Sequence, residues 1–176
     1  MTPVILNHPG LGNSGPDHWQ SQWERRRPEI LRIQQRDWDT PVCNEWISML
    51  DQYIMRSDPG NVVFVGHSLA CTTLAYWFMK YQRTLKGALL VAPSDTEAHT
   101  YPPGTSGFTP VPMIRLPFPS IVVGSTDDYY VSVSRATAFA AAWGSRLITL
   151  PDAGHINVAS GFGPWESGMA FLQELL

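Results

Sequence analysis

Val62-Val63-Phe64-Val65-Gly66-His67-Ser68-Leu69-Ala70-Cys71-Thr72-Thr73-Leu74 is the stretch on which the reading of this chain turns. Four apolar residues in a row describe a strand buried on both faces, as found inside parallel sheets. The run stops at Gly66-His67-Ser68-Leu69-Ala70, and an apolar helix-like stretch follows. A sharp strand-to-helix turn of this kind holds one serine in a strained conformation with its hydroxyl exposed, which is how a nucleophile elbow is built. Small residues are needed two positions either side of Ser68, where a large side chain collides across the turn. Gly66 and Ala70 meet that need, with alanine making the G-x-S-x-G pattern a relaxed form.

Outward from the elbow, the chain alternates short apolar runs with helix-period segments. Strands are predicted at Val4 to Asn7, Ile30 to Gln34, Asn61 to Val65, Gly87 to Val91, Ser120 to Val123 and Arg146 to Leu150. Helices are predicted at Asp17 to Arg26, Cys43 to Arg56, Leu69 to Tyr81, Val131 to Trp143 and Pro164 to Leu176. Strands joined through single helices make right-handed crossovers, hence an α/β fold with a parallel sheet covered on both faces, a three-layer α/β/α sandwich. Ligands in such sheets bind outside the carboxyl ends of the strands. One segment breaks the rhythm: residues 94–119 hold six prolines and show no period. A long irregular loop leaving the carboxyl end of a strand is a candidate lid, and Tyr101, Phe108, Met113 and Ile114 are its candidate pocket walls.

The 176 residues suit a single domain spanning 1–176 that buries roughly 70% of the unfolded chain's surface. A net charge of -3 and 15% charged residues point away from nucleic acid, and Arg25-Arg26-Arg27 fits a helix C-terminus better than a basic patch. No apolar run approaches a membrane span, and the N-terminus lacks the pattern of a signal peptide. Cys43 and Cys71 fall in predicted helices and read as buried small hydrophobes, in keeping with a reducing cytoplasm. A cytoplasmic location is therefore expected. No metal-ligand spacing is present, the glycines of the first loop lack P-loop and dinucleotide spacing, and no cofactor is expected.

A serine hydroxyl is a weak nucleophile and needs a base oriented by a carboxylate. Of the five histidines, His155 follows the last strand, and the chain order Ser, acid, His of this fold selects it as the base. The acid is expected after an intermediate strand, where Asp127 and Asp128 follow Ile121-Val122-Val123 directly. Donors for a developing oxyanion are expected from the backbone N–H of Leu69, after the nucleophile, and of Leu11, in the first strand-to-helix loop. His8 and His18 flank that loop. His18 and Trp19, with Phe108 and Met113, are the substrate-pocket candidates.

Four motifs in this order resemble the α/β-hydrolases, and among them the small serine hydrolases that include the YdeN-like bacterial proteins and retinoblastoma-binding protein nine. They are a Pro-Gly-rich first loop followed by His18-Trp19, the Gly66-His67-Ser68 elbow, Gly124-Ser125-Thr126-Asp127-Asp128, and Gly154-His155. The resemblance covers nearly the whole length. It implies a minimal hydrolase sheet of about six parallel strands in the order 2-1-3-4-5-6. It also implies a triad of Ser68, Asp128 and His155, with Asp127 as the alternative acid. Where members carry proline after the acid, this chain has Tyr129-Tyr130-Val131. The expected activity is esterase-like cleavage of a small ester, thioester or amide through an acyl-enzyme. Its rivals are cofactor-free perhydrolase or C–C hydrolase chemistry on the same triad, and a non-catalytic protein-binding module.

Overall fold

The computed structural model describes residues 2–176. Its strands are β1 (Val4–His8), β2 (Ile30–Arg32), β3 (Val62–His67), β4 (Gly87–Val91), β5 (Ser120–Ser125) and β6 (Arg146–Leu150). The helices are α1 (Trp19–Arg26), α2 (Cys43–Ile54), α3 (Leu69–Tyr81), α4 (Val133–Trp143) and α5 (Glu166–Gln173). The strands form one sheet in the order β2-β1-β3-β4-β5-β6, and each neighbouring pair is parallel. Sheet order and three-layer architecture are those anticipated above.

Side chains alternate across the sheet, so each inner strand feeds two cores. On β3, Val62 and Phe64 join the core made with α2, α3 and α4, while Val63 and Val65 join the one made with α1 and α5. β4 divides likewise, with Ala88 and Leu90 on the first side and Leu89 and Val91 on the second. Every residue of β3 and β4 is buried. Each such Val, Leu or Phe side chain stabilises the fold by about 1.5–3 kcal/mol relative to exposure. The nucleophile elbow therefore hangs from the best-anchored strand.

Three strands run further than the apolar runs suggested. β1 continues through His8, paired with Gly66. β3 continues through His67, paired with Val91, and β5 reaches Ser125, paired with Leu150. Backbone pairing persists where the side chains turn polar, and these polar ends lead into the site. β2 is shorter than predicted because only Ile30–Arg32 pair with β1 at the sheet edge. α1 and α4 each start later than predicted, behind caps. The His18 ring accepts the Gln20 amide, and the Ser132 hydroxyl accepts the Arg135 amide.

The proline-rich segment is anchored in the core over much of its length. It is irregular, but Phe108, Val111, Leu116 and Phe118 all lie buried in the core beside α2, α3 and α4. Polar clamps hold the rest: the Thr96 hydroxyl donates to the Phe108 carbonyl, the Val111 amide to Glu97, and Arg135 of α4 to both Asp95 and Glu97. Among the described residues, no helix is long and apolar enough to cross a membrane.

Candidate active site

Ser68 sits between β3 and α3 at φ 59°, ψ −122°, a conformation that side-chain-bearing residues rarely adopt. The turn closes because Gly66 is bare: a Cβ there would fall 2.5 Å from the Phe64 ring and 3.4 Å from the Ala70 backbone. Gly10 of the first loop makes the second close approach. A Cβ at Gly10 would meet the His67 carbonyl and the Ser68 Cβ at 2.8 Å, and the Leu69 nitrogen at 3.3 Å. That contact brings the first loop against the elbow. Neither the Leu11 nor the Leu69 N–H has a backbone acceptor among the described residues, and Leu69 N–H points from the first turn of α3.

His155 and Asp128 converge on Ser68. His155 Nδ1 donates to Asp128 Oδ2 at 2.8 Å, with Oδ1 at 3.0 Å, and Nε2 lies 2.9 Å from Ser68 Oγ. With Nδ1 carrying the proton, Nε2 of the neutral ring is the acceptor for the Ser68 hydroxyl. The Asp128 side chain is fully buried. Asp127 is exposed and does something else. Its Oδ1 accepts the Gly154 amide at 2.7 Å and the Ser125 hydroxyl at 2.7 Å, which hold its carboxyl below the usual range. Asp127 thus pins the loop that carries His155, and Asp128 is the carboxylate facing the ring.

Further bonds fix that loop. Ser125 Oγ accepts the Ala153 amide, Ser160 Oγ accepts the His155 amide, and His67 Nε2 donates to the His155 carbonyl at 2.9 Å. The His67 ring lies 4.9 Å from the His18 ring and 4.9 Å from the His155 ring. Burial keeps His67 well below the ordinary histidine range. Each of the three rings spends a nitrogen on a different partner, and among the described residues no group of three His, Cys, Asp or Glu side chains is arranged to hold a metal.

A cavity of about 200 Å³ opens beside Ser68, lined by Leu11, His18, His67, Ser94, Tyr101 and Tyr130 among others. Of the six pocket residues expected from sequence, His18 and Tyr101 reach it, while Trp19, Phe108, Met113 and Ile114 do not line it. Trp19 is completely buried behind the wall, its indole N–H on the Ile156 carbonyl. Phe108 fills the core, and Met113 is 48% exposed on the surface. His8 is also off the cavity, enclosed between the Pro9 carbonyl and the Gln35 amide.

Sequence reasoning missed Ser94. It follows β4 at the carboxyl edge, is 1% exposed, and places its Oγ 2.6 Å from Ser68 Oγ. The available signal was positional: the strand neighbouring the elbow ends at Val91, so the next polar side chain falls beside the nucleophile. Tyr130, whose ring stands edge-on 4.7 Å from His155, was missed as well.

A model of the serine hydrolase family matches residues 5–174. The chain belongs to that family. This serine hydrolase is 31% identical to a YdeN-like hydrolase from Pectobacterium atrosepticum, with a TM-score of 0.87 over 99% of this chain and 90% of that one. It therefore joins the YdeN-like hydrolases. The Bacillus subtilis YdeN structure is 18% identical, with a TM-score of 0.79 over 99% of this chain and 98% of that one. Est1E from Butyrivibrio proteoclasticus is 12% identical, with a TM-score of 0.68 over 98% and 88%. These last two share the α/β-hydrolase fold. A search of curated proteins gave no sequence match.

Proposed function

We propose that this hydrolase cleaves small carboxylic esters, thioesters or amides through an acyl-enzyme on Ser68. The observation that carries the reading is the unbroken chain of hydrogen bonds from Asp128 through His155 to Ser68. Ser68 Oγ attacks the substrate carbonyl as its proton passes to His155 Nε2. Asp128 orients the ring and stabilises the imidazolium that forms. The Leu11 and Leu69 amides receive the oxyanion, and the leaving group departs with the proton from His155. Water then repeats the sequence on the acyl-enzyme and regenerates Ser68.

Ser94 has a defined part in this scheme. Ser68 has one proton and gives it to His155, so the contact between the two serines requires Ser94 to donate to Ser68 Oγ. That donor faces the oxygen which leaves as the acyl-enzyme breaks down. The cavity is below the ~300–1,000 Å³ of drug-sized ligand sites, which favours short acyl groups. The deciding test is labelling with a fluorophosphonate probe, wild type beside Ser68→Ala. Labelling of the wild type alone supports an activated Ser68, and equal behaviour of the two proteins refutes it.

A further inference from the structure

His18 is a buried polar side chain on the cavity wall with one end unsatisfied by the protein. The residue is only 6% exposed, and its Nδ1 is committed to capping α1 through the Gln20 amide at 3.2 Å. A neutral imidazole that accepts at Nδ1 carries its proton on Nε2. Burial, reinforced by Arg32 and His155, pushes this ring down to about 4, so it stays neutral and keeps this tautomer around neutral pH. Nε2–H meets no acceptor among the described residues. It is also not among the fully enclosed unpartnered atoms, which are Tyr101 Oη and Trp165 Nε1. Its remaining access is to the cavity the ring lines.

The two carboxamides on the same wall are oriented the same way. Asn13 Oδ1 already accepts from the Ser14 amide and Arg32 Nη1, and Asn157 Oδ1 from the Ser160 amide and hydroxyl. All of these partners are donors towards the carboxamide oxygen, which leaves each Nδ2 as its uncommitted end. The one carboxylate of the triad is buried behind His155, and the Ser94 hydroxyl is directed at Ser68. Beside the His67 Nδ1 acceptor and the two tyrosine hydroxyls, which can donate or accept, the polar wall around the nucleophile therefore offers N–H donors from His18, Asn13 and Asn157.

We infer that His18 Nε2–H marks a subsite for an oxygen acceptor on the substrate, so that the preferred small ester, thioester or amide carries a hydroxyl, carbonyl or carboxylate oxygen apart from the scissile group. The inference rests on the acyl-enzyme reading above. A purely apolar acyl group would desolvate the buried donor and leave it unpaired, a penalty worth on the order of tenfold to a hundredfold in kcat/KM.

The test compares methyl butanoate, methyl 3-hydroxybutanoate and monomethyl succinate by titration of released acid, for wild type and His18→Asn. Asparagine keeps an oxygen for the α1 cap but cannot carry a donor to where Nε2 lies. The wild type is expected to favour at least one oxygen-bearing ester over methyl butanoate by roughly tenfold or more in kcat/KM. His18→Asn is expected to bring that ratio to within about threefold of unity, whichever way the absolute rates move. A preference for the hydroxy ester assigns a neutral acceptor, and one for the succinate ester assigns a carboxylate. A wild type that does not discriminate overturns the inference whether or not the variant folds, as does a ratio that survives the substitution in a folded variant. Fluorophosphonate labelling of the same wild-type sample separates these results from failure of the nucleophile itself: labelled protein without discrimination sinks the subsite alone.

Discussion

Ser68 has two hydrogen-bonding neighbours and a single proton, and the behaviour of the site follows from that imbalance. Removing the second donor by Ser94→Ala is expected to lower kcat roughly tenfold, the worth of one hydrogen bond to an oxygen gaining charge, with little change in thermal stability. Steady-state kinetics on a p-nitrophenyl ester beside a melting curve checks this. A faster variant would mean that Ser94 restrains the nucleophile instead. The neighbouring acids divide differently. Asp128→Asn removes the acceptor that fixes the His155 tautomer and is expected to cost about 10⁴ in kcat. Asp127→Asn keeps an oxygen for the Gly154 amide and is expected to cost no more than about tenfold, since that carboxylate only braces the loop. Comparable losses in the two variants would contradict this division.

At the scale of the element, the site depends on how tightly the first loop lies against the elbow. Gly10→Ala places a methyl group on the His67 carbonyl and Ser68 Cβ, and the loop must retreat with the Leu11 amide. We expect kcat to fall about 10²–10³-fold, the worth of one oxyanion donor, while KM changes little. Kinetics of Gly10→Ala on a short-chain ester checks this, and a change confined to KM would mean the loop serves binding alone. The elbow and the loop after β6 were legible in sequence because a strand end followed by Gly-x-Ser, or by Gly-His, ties a chemical residue to a geometric position. The proline-rich segment was not. Apolar residues in a long irregular loop look alike whether they wall a cavity or plug a core, and here Phe108 and Leu116 plug the core. Spacing alone left Asp127 and Asp128 ambiguous, since adjacent residues point in different directions, and it was the family resemblance that pointed to Asp128. Ser94 stood in that same segment without a motif, and only its place as the first polar side chain after β4 marked it.

Across the whole molecule, three histidines enter the fold uncharged. Burial pushes His8 and His18 down to about 4 and holds His67 well below the ordinary histidine range. In the unfolded chain each protonates near ~6.5. Between those values the unfolded state binds more protons, so stability is full above about pH 6.5 and falls as pH drops towards 4. His8 and His18 are each expected to contribute roughly 3 kcal/mol to that loss. Urea midpoints at pH 7.5, 6 and 5 should decline steadily, and a constant midpoint would remove these rings as the cause. The sheet also anchors its two reacting residues unequally. Ser68 directly follows β3, whose residues are all buried in the middle of the sheet, whereas His155 follows β6, an edge strand whose side chains are partly exposed. Local opening starts where fewest contacts must be broken, so fraying of that edge carries off the base while the nucleophile still stands in an intact core. Inactivation is then a failure of the margin ahead of a collapse of the centre. Ester hydrolysis should disappear at a lower urea concentration than the tryptophan fluorescence change, and amide hydrogens of β6 should exchange ahead of those in β3.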